Sequence, residues 1–240
     1  MYTTNATARL NINQYILSLL LSISCLTCTA QYVQRSGSPD GIGKFYQGRE
    51  IAQVMGAAGS DWLERDSRNR EENTTLAIKK IDVPPNAVIA DIGAGTGYYS
   101  FKLALKVPAG KVYAVEIQDE MITFLRNRKK ELKDNIVEVV KSTTRSPNLP
   151  DNSVDLAIMV DVYHELEFPQ EMLQALSKIL KPGGKILLIE YRGEDPAIPI
   201  KALHKTSVAQ LNREFSVNGF RLSYQGDFLP IQHFLLYEKK

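Results

Sequence analysis

From Ala87 onward the chain alternates two hydrophobic patterns. Short, nearly continuous apolar runs (AVIADIG, KVYAVEI, IVEVVKS, VDLAIMV and KILLIEYR) read as strands covered on both faces. Between them lie segments whose apolar residues recur three and four apart: GYYSFKLALKV, DEMITFLRNRKKELK and QEMLQALSKILKPGG. These read as helices, the last closed by Pro182 and two glycines. A further helix is expected over KTSVAQLNREFSVNG, stopped by Gly219, and FRLSYQGDFL and HFLLYEKK read as closing strands. Strands alternating with helices predict an α/β fold with a doubly wound, mostly parallel sheet. No helix separates the last two strands, so they are expected to pair antiparallel at one edge.

Ahead of this region the pattern is less regular. Ile51, Val54 and Met55 fall at i, i+3 and i+4, and Trp62 and Leu63 open another apolar face after Ser60-Asp61, either of which can cap a helix. Leu76 and Ile78 lead to a helix ending before Pro84-Pro85. Residues 44–84 therefore read as an N-terminal helical cap, with Phe45, Tyr46, Met55 and Trp62 as apolar walls. Arg49, Arg65, Arg68 and Arg70 alternate with Glu64, Asp66, Glu71 and Glu72, a pattern that favours ion pairing within the cap. Residues 31–43 are polar and carry Gly, Ser and Pro, as a linker does.

The first thirty residues differ again. Arg9 is the single charged side chain before an apolar run, Tyr15 to Thr27, followed by small residues at Cys28 and Ala30. This is the layout of a secretory signal peptide cleaved between Ala30 and Gln31, and it predicts export. The alternative is an uncleaved leader that anchors the chain in a membrane, although the run is shorter than the roughly 20 residues a spanning helix needs. Both cysteines, Cys25 and Cys28, lie in this segment. Residues 31–240 thus offer no disulfide framework, no thiolate nucleophile and no cysteine-ligated zinc.

Composition adds one exclusion. Lys and Arg total 29 against 27 Asp and Glu, so no basic excess points to nucleic acid as a partner. A small-molecule ligand is the expectation, and the stretch VIADIGAGTGYYS, residues 88–100, says where it binds. Gly93, Gly95 and Gly97 follow a strand and open a helix, the place where doubly wound sheets bring ligands against the backbone. A triphosphate loop needs Lys-Ser/Thr after the glycines, and the chain has Tyr98-Tyr99-Ser100. A dinucleotide loop would place its third glycine at position 98, where Tyr98 stands, which argues against a nicotinamide oxidoreductase. Asp91 just before the loop repels a pyrophosphate and favours a ligand ammonium. Glu116, at the end of the next strand, is placed to accept hydrogen bonds from ribose hydroxyls.

These motifs, DIGAGTG, VYAVEI, LPDNSVDLAIMVDVYHEL and LKPGGKILLIE in that order, resemble the class I S-adenosylmethionine-dependent methyltransferases. The likeness is greatest to the small-molecule branch of ubiquinone/menaquinone-biosynthesis type, and it spans about residues 87–190. It implies a seven-stranded Rossmann-like methyltransferase fold over residues 85–240, with S-adenosyl-L-methionine as cofactor. It places Asp91, Gly93, Gly95 and Gly97 beside the methionine part, Glu116 on the ribose and Ile117 on the adenine. The acid that the family often carries after the third strand is missing; Ser142 and Thr143 stand there instead. Asp161 opens the segment DVYHEL at the end of the fourth strand, over the methyl group.

Methyl transfer from a sulfonium is an in-line displacement, so alignment and exclusion of water come first and a base is needed only for a protonated nucleophile. His164 is the candidate base, because an imidazole titrates near neutrality. Tyr163 is a second catalytic candidate or a pocket wall, and Glu165 either orients His164 or sits at a helix start. His204 and Lys205 read as a solvated helix start and His233 as structural. Three histidines without clustered carboxylate spacing predict no metal site. The resemblance implies a methyltransferase for a small, lipophilic acceptor. The alternative is a protein that binds the cofactor without transferring its methyl group.

Overall fold

The structure is a computed structural model describing residues 31–240, so the expected leader and both cysteines lie outside the described residues. The described chain begins with β1 (Tyr32–Gln34), β2 (Gly41–Tyr46) and β3 (Arg49–Ala52), an antiparallel sheet in the order β1-β2-β3. This corrects two expectations. Residues 31–43 contain β1 and the start of β2, joined by a loop, rather than a plain linker, and the first part of the cap is strand rather than helix. The reason is the Gln47-Gly48 pair, whose positive φ values of 48° and 91° form the two-residue reversal that joins twisted strands. Ile51 therefore lies in a strand, and Val54 and Met55 lie in the loop after it. Glu50 fixes the sheet from beneath, accepting hydrogen bonds from the amides of Ser38 and Gly43.

The rest of the cap is helical, as its pattern implies. A 3-10 turn at Ala57–Gly59 precedes α1 (Ser60–Leu63), α2 (Arg68–Glu72) and α3 (Thr74–Lys80). The body then alternates β4 (Val88–Ile92), α4 (Tyr98–Ala104), β5 (Lys111–Glu116), α5 (Asp119–Leu132), β6 (Val137–Lys141) and β7 (Val154–Val160). A 3-10 turn at Tyr163–Glu165 leads to α6 (Pro169–Ile179) and β8 (Leu180–Tyr191). A last 3-10 turn at Ala202–His204 leads to α7 (Val208–Val217), β9 (Phe220–Gly226) and β10 (Gln232–Lys239).

The large sheet has seven strands in the order β6-β5-β4-β7-β8-β10-β9. β10 is antiparallel to both β8 and β9. The last two strands do pair antiparallel at one edge, but the reversed strand β10 is the penultimate one and β9 forms the edge itself. Burial explains the order. Phe234, Leu235 and Tyr237 of β10 are buried, whereas Arg221, Ser223 and Gln225 of β9 are exposed, and only a polar strand is tolerated at an open edge.

Alternate strand residues feed two cores. Ile89, Val112, Ile158 and Leu187 pack against α3, α4 and α5 through Ala77, Leu103 and Leu125. Ala90, Val115, Met159 and Leu188 pack against α6 and α7 through Leu173, Leu176 and Phe215. The strand order reverses between β4 and β7, so the carboxyl ends of these two strands form the crevice where such sheets bind ligands.

Candidate active site and cofactor cavity

Gly93 and Gly95 leave β4 with φ of 71° and 54°, a region that side chains rarely adopt. A Cβ on Gly93 would collide with Val162 Cγ2, and one on Gly95 would stand 2.8 Å from Leu63 Cδ1 of the cap. Glu116 at the end of β5 ties the loop down. Its Oε2 accepts from the Gly95 amide at 2.9 Å, and its Oε1 accepts from the Ile117 and Gln118 amides at 2.7 and 2.9 Å. About four acceptor positions exist on a carboxylate, so one remains on Oε2. A cavity of about 160 Å³ opens here, walled by Gly93, Gly95, Glu116, Ile117, Ser142, Thr143 and Asp161 among others.

A second cavity of about 380 Å³ lies beside it, between the cap and the ends of β7 and β8. Val54, Met55, Trp62, Leu63 and Ile200 give it apolar walls; Asp40, Arg68, Asp161, His164, Glu165 and His204 give it polar ones. The two cavities share Val54, Met55, Leu63, Asp161 and Glu165.

Two buried carboxylates organise the second cavity. Glu190 Oε1 accepts from the amides of Val162 and Tyr163, and its Oε2 meets His164 Nδ1 at 2.6 Å. Glu72 Oε1 accepts from Arg65 and from the Tyr191 hydroxyl, and its Oε2 accepts from Arg68 Nε at 2.9 Å. Arg68 in turn lies 4.0 Å from Asp161 Oδ2, whose carboxylate is also held by the Gln232 amide group. Burial and the nearby Glu72 and Glu190 push the Asp161 carboxyl well above the usual carboxylate range. Asp161 itself has φ of 53°, a strained backbone of the kind held at functional sites.

The family model described as a methyltransferase domain matches residues 90–188, which contain the glycine loop, Glu116 and the Asp161–Glu165 segment. Residues 90–188 thus carry a methyltransferase domain. It is 30% identical over 140 residues to a malonyl-[acyl-carrier protein] O-methyltransferase of Methylococcus capsulatus, covering 58% of this chain and 50% of that protein. It is also 30% identical to the ubiquinone/menaquinone biosynthesis C-methyltransferase UbiE of Hahella chejuensis, over 57% of this chain and 55% of the relative. The chain thus spans about half the length of the curated relatives it matches. A solved S-adenosylmethionine-dependent methyltransferase of Aquifex aeolicus shares the fold with a TM-score of 0.72. That likeness covers 77% of this chain and 98% of the other at 24% identity.

The domain fits S-adenosylmethionine by its own geometry, because Gly93 and Gly95 present bare backbone to the smaller cavity and Glu116 keeps an acceptor position beside them. Gly93, Gly95, Glu116, Ile117, Ser142, Thr143 and Asp161 all line the smaller cavity. Asp91 and Gly97 do not. Asp91 turns under the loop, where its Oδ2 accepts from the Ser100 hydroxyl at 2.6 Å. Gly97 starts α4 with φ of 80°, and a Cβ there would meet Leu125 and Phe101 at 2.7 Å, so it serves packing between α4 and α5.

On the acceptor side, His164 lines the larger cavity and Tyr163 lines neither. The Tyr163 ring packs on Phe215, and its hydroxyl donates to Glu214 Oε2 at 2.8 Å. This corrects Tyr163 as a catalytic candidate: burial and Glu214 hold its hydroxyl protonated far from the acceptor space. His204, read as a solvated helix start, instead lines the larger cavity 3.0 Å from His164 Nε2. His233 pairs with Glu194 at 2.9 Å, as a structural residue does. Within the cap, Arg65 and Arg68 pair with Glu71 and Glu72 as expected, but Arg49 reaches across the fold to a bidentate bond with Glu214.

Asp91 gives a test of the ground beneath the loop. Burial pushes its carboxyl up to about 6, against the bond from Ser100 and with the neighbouring Glu116 adding to the rise. A folded-state value above the unfolded one near 3.9 means that the folded protein holds this proton longer. The contribution of the group is complete below about pH 4 and is lost as pH rises through about 6. The stability of the native protein relative to Asp91→Asn is therefore expected to fall by about 2 kcal/mol between pH 4 and pH 7. Paired denaturant titrations across that range measure it, and a pH-independent difference would contradict the buried carboxyl.

Proposed function

We propose that this protein transfers the methyl group of S-adenosylmethionine to a small acceptor with an apolar body. The observation that carries the reading is the adjacency of two cavities with a shared wall of Met55, Leu63, Asp161 and Glu165. The cofactor supplies a methyl group already activated on a sulfonium. The chain supplies placement: Gly93, Gly95 and Glu116 hold the cofactor side, and Val54, Trp62 and Ile200 exclude water around the acceptor. His164 stands at the acceptor side with Nδ1 held by Glu190 and Nε2 against His204 Nδ1, so the imidazole pair takes the proton from an acceptor hydroxyl or amine. The relatives named above carry methyl-transfer names for acyl-carrier and quinone acceptors. That supports an acceptor with an apolar body, which suits these walls.

Titration calorimetry with S-adenosylmethionine and its demethylated product is expected to give saturable 1:1 binding of both. Labelled methyl from the cofactor is then expected in one member of a panel of phenolic, quinol and carboxylate acceptors. Binding of neither cofactor form overturns the proposal; binding without transfer across the panel favours a cofactor-binding protein.

We also propose, from the leader pattern alone, that residues 1–30 direct export and are removed after Ala30. Mass spectrometry of the mature chain is expected to find Gln31 at its N-terminus. A chain beginning earlier would instead support a membrane anchor.

A further inference from the structure

One cluster in the larger cavity is richer than acid–base work requires. His164 Nε2, His204 Nδ1 and Glu165 Oε1 converge from two 3-10 turns that are 40 residues apart in sequence for the two imidazoles. The separations are 3.0 Å between the imidazole nitrogens, 3.4 Å from His204 to Glu165 and 3.8 Å from His164 to Glu165. A tetrahedral ion with nitrogen and oxygen ligands at about 2.0–2.1 Å has ligand–ligand edges of about 3.3–3.4 Å. The three measured edges average close to that figure.

Each ligand is also braced from behind. His164 holds Glu190 Oε2 on its other ring nitrogen at 2.6 Å. His204 Nε2 stands 3.2 Å from Asp40 Oδ2, within ion-pair reach of that carboxylate. Glu165 Oε1 accepts from the Met55 amide at 3.1 Å. Carboxylate–imidazole pairs behind a ligand set fix the tautomer and aim the ligating nitrogen, the usual arrangement around bound metal. Hydrogen bonding alone accounts poorly for two imidazoles and a carboxylate aimed at one point, since each imidazole already has its own carboxylate.

We propose that His164, Glu165 and His204 bind a divalent first-row transition-metal ion of the zinc class, with its fourth position open to the acceptor cavity. Two imidazoles and one carboxylate suit such an ion, and three protein ligands with an open position mark a substrate-binding rather than a structural site. The acceptor's oxygen or sulfur would take the open position, where the ion lowers its pKa. His164 is then a ligand, and the proton that the ion-bound acceptor sheds goes to solvent water. The inference rests on the methyl-transfer reading only for that task. Ion uptake is read without cofactor or acceptor, so the two can fail separately.

The test uses the full chain stripped with a chelator and titrated with Zn²⁺ alone by calorimetry, then with Co²⁺ by visible absorption. Wild-type protein is expected to take up one Zn²⁺ and to give the absorption of four-coordinate Co²⁺. His204→Ala and Glu165→Gln, both partly exposed and remote from the cores, are each expected to weaken uptake at least 30-fold with unchanged far-UV circular dichroism. Absence of saturable uptake, or uptake that neither substitution alters, overturns the proposal.

Discussion

Glu72→Ala is expected to lower the unfolding free energy by about 3–5 kcal/mol, the cost of leaving buried cationic partners without their anion. Glu72 has no exposed surface, and it receives Arg65, Arg68 and the Tyr191 hydroxyl on its two oxygens. Its removal strands Arg68, whose guanidinium lies between the Tyr98 ring and Asp161 and whose side chain is 5% exposed. A guanidinium stays protonated in proteins whatever its neighbours. The deficit therefore cannot be relieved by deprotonation. Arg68→Met combined with Glu72→Met is expected to be less damaging than either change alone, because an apolar pair avoids the stranded charge. Denaturant unfolding at pH 7 with an unchanged slope measures both. A cost under 1 kcal/mol for Glu72→Ala would mean that the cap is not anchored through this carboxylate.

Glu116→Ala is expected to weaken binding of S-adenosylmethionine and of its demethylated product by about 100-fold. The carboxylate has two tasks. It accepts from three backbone amides that shape the loop after β4 and the turn after β5, and it keeps one acceptor position for a ligand hydroxyl. Hydrogen bonds to a charged acceptor contribute about 1.5–3 kcal/mol each, so losing one ligand bond together with loop order corresponds to about 3 kcal/mol. Glu116→Gln separates the tasks. One of its two terminal atoms becomes a donor and clashes with at least one of the amides, so part of the loss persists although size is kept. Calorimetry with the demethylated product gives the affinities directly. Unchanged affinity in both variants would remove Glu116 from the cofactor site.

The body of the fold was legible because its strands are buried on both faces and so appear as unbroken apolar runs, from Ile89 to Ile189. The glycine loop and Glu116 were legible because backbone geometry restricts which residues can stand there. The small sheet was not. Ile51, Val54 and Met55 mimic a helix face, while the turn that sets the sheet is Gln47-Gly48, a weaker signal than Asn-Gly. His204 was passed over for a different reason. An isolated histidine at a turn carries no local mark of its partners, and only the path of the chain after β8 brings it to His164. Tyr163 erred in the opposite direction. It sits beside His164 in sequence, but successive residues of a turn point apart, and this one points into the core.

The bidentate bond between Arg49 and Glu214 joins the second strand of the hairpin to α7, some 165 residues later in the chain. Glu214 also takes the Tyr163 hydroxyl and Gln210, so one buried carboxylate serves the cap, the turn that carries His164 and the last helix. The region shared with the family, residues 90–188, contains neither end of this bond. The cap is consequently no interchangeable module. A grafted hairpin without an arginine at position 49 would leave Glu214 with the Tyr163 hydroxyl and Gln210 but without its cationic partner. Replacing the cap therefore means replacing α7 with it, or supplying Glu214 with a new cationic partner.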